Sequence, residues 1–317
     1  MTFTAGFLSR NRVAVRPLAA LTTFRIGGPA TVVDLDERTD LSEAVAAAPR
    51  WLGRGANLLV TSQPIAQPVL RLGRDFATLA IEPRGDGALV RAGAAVDLAE
   101  LITACVKAGL AGPEGLAGVP ATVGGALRMN AGTTTCWMLD HVVRVEAMLP
   151  GEDQPRWIER AAMPAAYRQS GLPAGSVLLG CEMDLRRDDP ELLRATAARL
   201  KKAKAATQPL ALPSAGCIFR NPSPSIPAGK LIDELGLKGA RVGGAAVSRV
   251  HANFIVNEGR DATSEEVTAL ITTIRATAWR ERGIDLHMEV ESWDCAEELH
   301  APASRLPMAD LKGQHVG

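Results

Sequence analysis

Between Ala111 and Gly132 the chain reads AGPEGLAGVPATVGGALRMNAG, with glycine at 112, 115, 118, 124, 125 and 132. In an element interior each glycine costs roughly 0.5–1 kcal/mol relative to alanine. A run this rich therefore serves what only glycine permits, a positive φ or main chain lying hard against a neighbour. Exposed backbone N–H groups in such a run form concavities that hold anions. Thr122, Asn130 and Thr133 add hydrogen bonds without formal charge. That is a chemistry suited to a diphosphate-bearing cofactor held by main chain. A shorter glycine turn lies upstream in WLGRGANLLV, residues 51–60, where Gly53-Arg54-Gly55-Ala56-Asn57 separates two apolar runs. Its N–H groups can sit on phosphate, or it is a plain hairpin turn. Neither stretch is a Rossmann fingerprint. No GxGxxG opens a helix, and no GxxxxGK[ST] occurs.

With 317 residues the chain exceeds what one core usually organises, and two or three domains are expected. Lys+Arg and Asp+Glu both number 35, so no net basic field exists to hold nucleic acid, and none is expected as a partner. Apolar runs fall short of a membrane span, and the start MTFTAGFLSRNR lacks a signal-peptide layout. Cys105, Cys136, Cys181, Cys217 and Cys295 show no CxxC pairing. A reduced, cytoplasmic protein with no membrane partner is the expectation. His141, His251, His287, His300 and His315 form no metal-ligand spacing, so no metal is expected.

The element pattern predicts a mixed α+β fold. Residues 22–35 read as a loop entering a strand. Further strands are expected at 68–72, 76–81, 87–93, 142–149, 176–185 and 251–257, and over Ile284–Trp293, which carries Glu289. Capping-box patterns at Asp40–Glu43, Asp97–Glu100 and Thr263–Glu266 open helices, the last running to about Arg282. A mixed-charge helix over 190–205 reads as a junction, and Pro209, Pro213, Pro222, Pro224 and Pro227 make the next stretch irregular. His251 reads as a satisfied structural residue, and Tyr167-Arg168 as a strand edge unless other observations make it a recognition pair. Residues 296–317 read as an extended or loosely held tail.

Eight segments, in order, resemble one family over roughly residues 20–293: TTFRIGG, LGRGANLLV, GLAGVPATVGGALRMNAG, AYRQS, PSAGCIFRNP, AGKLIDELGLKG, HANFIVN and IDLHMEV. In this order and spacing they resemble the UDP-N-acetylenolpyruvoylglucosamine reductase family, in its compact subgroup without an extra substrate-covering insertion. The resemblance implies a vanillyl-alcohol-oxidase-type FAD-binding fold in two subdomains, residues 1–65 and 66–204. A C-terminal α+β substrate domain over 205–295 and the tail 296–317 would follow. It implies non-covalent FAD, NADPH as hydride donor, a UDP-sugar substrate and a monomer. The family's flavin positions fall on Gly53, Arg54, Gly55, Ala56, Asn57, Leu58, Gly118, Val119, Pro120, Thr122, Gly124, Gly125, Asn130 and Gly132. Its substrate-binding positions fall on Tyr167, Asn221 and Lys230.

The reaction implied is delivery of hydride to the enolpyruvyl methylene carbon, negative charge building on the neighbouring carboxylate, then a proton to the α-carbon. Arg168 matches the family position that meets this charge, with a fork suited to a carboxylate. Glu289 matches the family carboxylic acid, which needs burial to stay protonated. The family proton donor is serine, and here the position holds Cys217, whose thiol class is a stronger acid than a hydroxyl. Arg54 and Ala56 replace the family's glycine-serine, Ala121 replaces a glycine, and Thr134-Thr135-Cys136 stands where a Tyr-Gly usually follows. Other readings are a second flavin-dependent oxidoreductase of the same fold, or a non-catalytic flavin or UDP-sugar-binding protein.

Overall fold

The computed structural model describes residues 3–133 and 135–306; Thr134 and the tail beyond residue 306 lie outside the described residues. In chain order the helices are α1 Ala5–Arg10, α2 Leu41–Ala46, α3 Leu98–Lys107, α4 Val123–Arg128, α5 Pro190–Thr207, α6 Ala228–Glu234 and α7 Ser264–Arg282. The strands are β1 Arg12–Pro17, β2 Pro29–Leu35, β3 Arg50–Trp51, β4 Leu58–Val60 and β5 Ile65–Leu72, then β6 Leu79–Arg84, β7 Gly87–Gly93, β8 Val142–Met148, β9 Arg156–Glu159 and β10 Val177–Arg186. They end with β11 Ser214–Cys217, β12 Arg241–Val242, β13 Ala245–Val247, β14 Phe254–Asn257 and β15 Glu291–Trp293.

The chain divides into two compact units. The first takes residues up to Ala14, then Thr31–Arg54 and Gln67–Lys204; the second takes Val15–Ala30, Gly55–Ala66 and the chain from Ala205 on. In the first unit, a five-stranded antiparallel sheet has the order β6-β7-β10-β8-β9. Helix α3 buries Leu98, Leu101, Ile102, Cys105 and Val106, spaced by one, three and four residues as one helical face requires. With Val123, Ala126 and Leu127 of α4 they join Val90, Met183 and Leu185 of the sheet in one core. A smaller core gathers Phe7, Val33, Leu35, Leu70 and Phe76. In the second unit, the sheet β11-β14-β13-β12 is antiparallel throughout. It packs with α6 and α7 around Phe219, Leu231, Ile255, Leu270 and Ile274.

Several expectations are corrected by tertiary partners. The turn after Trp51 is not a hairpin: β3 pairs in parallel with β5, and β4 in parallel with β15. Asp40 makes no side-chain cap for α2. It pairs instead with Arg10 and accepts from Asn11 Nδ2 at 2.6 Å, while Glu43 accepts from Thr4 N at 2.6 Å. The box at Thr263–Glu266 is complete on α7, which closes on Gly283 at φ +65°. The last strand is short, Glu291–Trp293, and Glu289 precedes it. Strand β9 had no sequence signal. Residues 297–306 are held, not loose: Leu299 and Ala303 are buried, and Arg275 Nη1 donates to Leu299 O at 3.0 Å.

Candidate active site

At the first glycine turn the sequence is chosen by contacts. A Cβ on Gly53 would stand 2.8 Å from Thr122 Oγ1, and on Gly55, at φ +63°, 2.7 Å from Leu21 O. Among the described residues the main-chain N–H groups of Gly53, Arg54, Gly55 and Ala56 donate to no internal acceptor. Such donors fit the diphosphate of a flavin dinucleotide. Arg54 adds less than its charge suggests, because its guanidinium pairs with Asp97, the α3 cap. Asn57 turns its amide inward, Nδ2 donating to Glu289 O at 3.1 Å, while its carbonyl accepts from Glu291 N at 3.1 Å. Leu58 is buried in β4.

The long glycine stretch behaves differently from the expected anion cradle. Val123 N donates to Val96 O at 2.8 Å and Gly124 N to Ala94 O at 2.9 Å; Gly125 N donates to Thr122 Oγ1 at 3.2 Å. The first turn of α4 thus spends its donors inside the protein. Gly124 is glycine because its Cβ would lie 2.9 Å from Ala94 Cβ. Gly118, at φ +82°, lies against the stem of Lys204, with Val119 half-buried and Pro120 exposed after it. Asn130 is buried at φ +38°, its Oδ1 accepting from Leu139 N at 3.2 Å and its Nδ2 donating to Ala166 O at 3.4 Å. It joins two loops of the first unit.

Tyr167-Arg168 is no strand edge. Ala166 and Gln169 exchange both main-chain hydrogen bonds, at 3.1 and 3.0 Å, so the pair forms the tip of a tight turn. Arg168 sits at φ +57°, a left-handed conformation that costs roughly 1–2 kcal/mol in a residue with a side chain and often marks function. Its Nη1 donates to Gly132 O at 3.4 Å. Burial, and then the Arg168 charge, push the Lys204 ammonium below its usual range. Nearby, Cys136 Sγ lies 3.2 Å from His141 Nε2. Burial, then Asp140 and Glu114, push the Cys136 thiol up to about 11, and burial lowers His141.

In the second unit, Cys217 ends β11 opposite Phe254, one residue after Gly216 at φ +83° in an irregular register. Such bulges re-aim side chains beside active sites. Glu289 N donates to Ile218 O at 2.8 Å, and Phe219 pairs with Met288. The protein therefore brings Cys217 and half-buried Glu289 onto adjacent segments. The expected substrate residues are less committed. Asn221 Oδ1 accepts from Ala228 N at 3.0 Å, holding the start of α6. Lys230 is exposed, 3.7 Å from Glu234. His251 is structural, as expected: its Nδ1 accepts from Asn253 N at 3.2 Å. Nothing in the local sequence marks Trp137 or Lys204, whose importance comes from folding beside Arg168.

Residues 29–154 match the model of an FAD binding domain, and residues 208–293 that of the UDP-N-acetylenolpyruvoylglucosamine reductase C-terminal domain. A UDP-N-acetylenolpyruvoylglucosamine reductase of Anaeromyxobacter dehalogenans is 41% identical over 281 residues, 86% of this chain and 83% of that protein. The protein of the same name from Desulfosudis oleivorans is 38% identical over 289 residues, 86% and 92% of the two chains. A crystal structure of UDP-N-acetylenolpyruvylglucosamine reductase (MurB) from Thermus caldophilus superposes with a TM-score of 0.79 at 36% identity, covering 89% of this chain and 99% of that one. The α+β, FAD-binding fold of the vanillyl-alcohol-oxidase type expected from the sequence agrees with these matches. With identity of this order spread over most of both chains, the chain belongs to the UDP-N-acetylenolpyruvoylglucosamine reductase family.

Proposed function

We propose that this protein reduces UDP-N-acetylenolpyruvoylglucosamine to UDP-N-acetylmuramate with NADPH, in peptidoglycan precursor synthesis. The observation that carries the reading is family identity over 86% of this chain together with Cys217 and Glu289 on adjacent hydrogen-bonded segments of one unit. Bound FAD would supply the hydride relay between NADPH and the enolpyruvyl group. In the first unit Gly53, Arg54, Gly118, Val119, Pro120, Thr122, Gly124, Gly125, Asn130 and Gly132 are the proposed flavin positions. In the second they are Gly55, Ala56, Asn57 and Leu58. The internal bonds of Gly124, Gly125 and Asn130 give these three a shaping role.

The roles of the chain's own groups follow from the charge that develops. Arg168 receives the substrate carboxylate, on which negative charge grows during reduction, through its two-pronged guanidinium. Cys217 Sγ–H gives its proton to the carbon α to that carboxylate. Glu289 lies beside it, its main chain fixed by Ile218 O and Asn57 Nδ2, and donates a hydrogen bond when protonated. Tyr167, Asn221 and Lys230 contact the nucleotide sugar. Among the described residues no helix is long and apolar enough to cross a membrane, and a cytoplasmic monomer is the form proposed. Residues 1–65, 66–204 and 205–295 are the proposed functional divisions, with 296–317 following them.

Incubation of the FAD-loaded protein with NADPH and the enolpyruvyl nucleotide tests the whole reading. Stoichiometric NADPH oxidation with a product two mass units heavier than the substrate is expected. NADPH oxidation without a change in the sugar refutes the assignment.

A further inference from the structure

Trp137 has no part in the roles above, yet the loop is built around it. A Cβ on Gly132 would come within 2.5 Å of Trp137 Cε3, so the ring occupies the space that glycine leaves. Gly132 and Trp137 form a β-bridge, and Thr133 N donates to Cys136 O at 2.8 Å. Met138 N donates to Ala131 O at 2.8 Å, and Trp137 N donates to Asp140 Oδ2 at 2.9 Å. Tyr167 meets the indole edge-on, centroids 5.7 Å apart and planes at 76°. The Arg168 guanidinium carbon lies 5.7 Å from the Trp137 centroid and 5.0 Å from that of Tyr167. Both distances are within the range where a ring quadrupole attracts a cation. Arg168 Nη1 is also held by Gly132 O. One short loop thus supplies the glycine, the carbonyl and the indole that fix one guanidinium.

We propose that Trp137 is a positioning residue for Arg168: its indole face, with the Tyr167 ring, presets the guanidinium fork for the carboxylate of the nucleotide sugar. A preset fork loses less side-chain freedom when it meets the carboxylate, so the benefit appears only with ligands that carry one. The proposal rests on the Arg168 role given above, and the test separates the two.

Titration calorimetry on the FAD-loaded enzyme would compare UDP-N-acetylmuramate, which carries the carboxylate, with UDP-N-acetylglucosamine, which does not. Trp137→Ala is expected to weaken the first roughly three- to thirtyfold and leave the second unchanged. Trp137→Phe should restore most of the loss, and in an Arg168→Ala background Trp137→Ala should add nothing. In stopped flow, Trp137→Ala should slow sugar reduction but not NADPH oxidation. Equal weakening of both ligands, no weakening, or the same loss in the Arg168→Ala background overturns the proposal. If Arg168→Ala itself keeps full affinity for UDP-N-acetylmuramate, the Arg168 role fails, and the proposal with it. Should Trp137→Ala not fold, Trp137→Leu keeps bulk without a π face and carries the same expectations.

Discussion

Arg168 shows how one residue can carry a geometry its sequence neighbours do not announce. A left-handed backbone at the tip of a two-residue turn lifts the guanidinium out between Trp137 and Tyr167. Lysine in its place keeps the charge but loses the planar fork. Arg168→Lys is expected to slow sugar reduction roughly 100-fold, the scale of one lost transition-state donor, with NADPH oxidation nearly unchanged. Stopped-flow traces in which both half-reactions slow equally would remove the role. Cys217 gives a second residue-scale test. Cys217→Ser restores the hydroxyl of the family pattern and should stay active while losing sensitivity to peroxide, since only a thiol climbs the oxidation ladder. Cys217→Ala should still oxidise NADPH but reduce the sugar roughly 10²–10⁴ more slowly, the range of a missing general acid. Near-normal turnover by the alanine variant would place the proton donor elsewhere.

At the scale of elements, two buried ionic groups hold what the hydrophobic cores do not. Glu182 on β10 is 3% exposed and accepts from Arg91 Nε at 2.7 Å on β7 and from Arg144 Nε at 2.6 Å on β8. It ties three neighbouring strands of the five-stranded sheet across one face. The Arg144 hydrogen bond, opposed by burial and helped by Arg91, holds its carboxyl below the usual range. A carboxyl depressed in the folded state gives stability that is fully present above its unfolded value near ~4.3. That stability declines as pH falls through the folded value, because the unfolded chain takes up the proton first. Glu182→Gln should lose about 1.5–3 kcal/mol at pH 7 in urea titrations. It should also show a flatter acid limb between about pH 5 and pH 3, whereas an unchanged limb would assign acid lability to other carboxylates. On α7, Arg275 is 3% exposed and spends its fork on the C-terminal segments. Nε donates to Leu286 O at 2.8 Å, Nη1 to Leu299 O at 3.0 Å and Nη2 to Asp285 Oδ1 at 2.9 Å. Arg275→Met should cost about 3 kcal/mol, since Asp285 and two carbonyls lose their donor. It should also open residues 297–306 to limited proteolysis, and a variant as resistant as the parent would show that apolar packing of Leu299 suffices.

For the whole molecule, the cofactor is part of the folded state. A ligand that binds only the native chain raises stability by mass action. The protein is expected to purify yellow with one FAD, and acid precipitation should leave the flavin in the supernatant. The FAD-free protein should melt lower and recover as FAD is added, in proportion to the logarithm of its concentration. Flavin remaining on the precipitated polypeptide would mean a covalent link, and an FAD-independent melting temperature would mean that the glycine turns hold something else.

Local chemistry was legible in the residues themselves. The Thr263–Glu266 box and four of the five strands of the β6-β7-β10-β8-β9 sheet depend on residues within a few positions of one another, whereas of the β11-β14-β13-β12 sheet only β14 was expected. The ordered motifs carried the family, because motif order is a property of the chain and survives without coordinates. What the sequence could not decide were choices between near-equal partners. Asp40 had a free helix end close by and pairs instead with Arg10 and Asn11. The glycines at 124 and 125 have the composition of an anion cradle, yet their donors go to Ala94 and Thr122. Asn57, a proposed flavin position, also holds the main chain at Glu289, 232 residues further on. For Asp40 and Gly124 a partner about 30 residues away in sequence took the group that a local reading assigned elsewhere. A group that leaves water gains from whichever partner the fold brings within about 3 Å, and only the tertiary structure decides which that is.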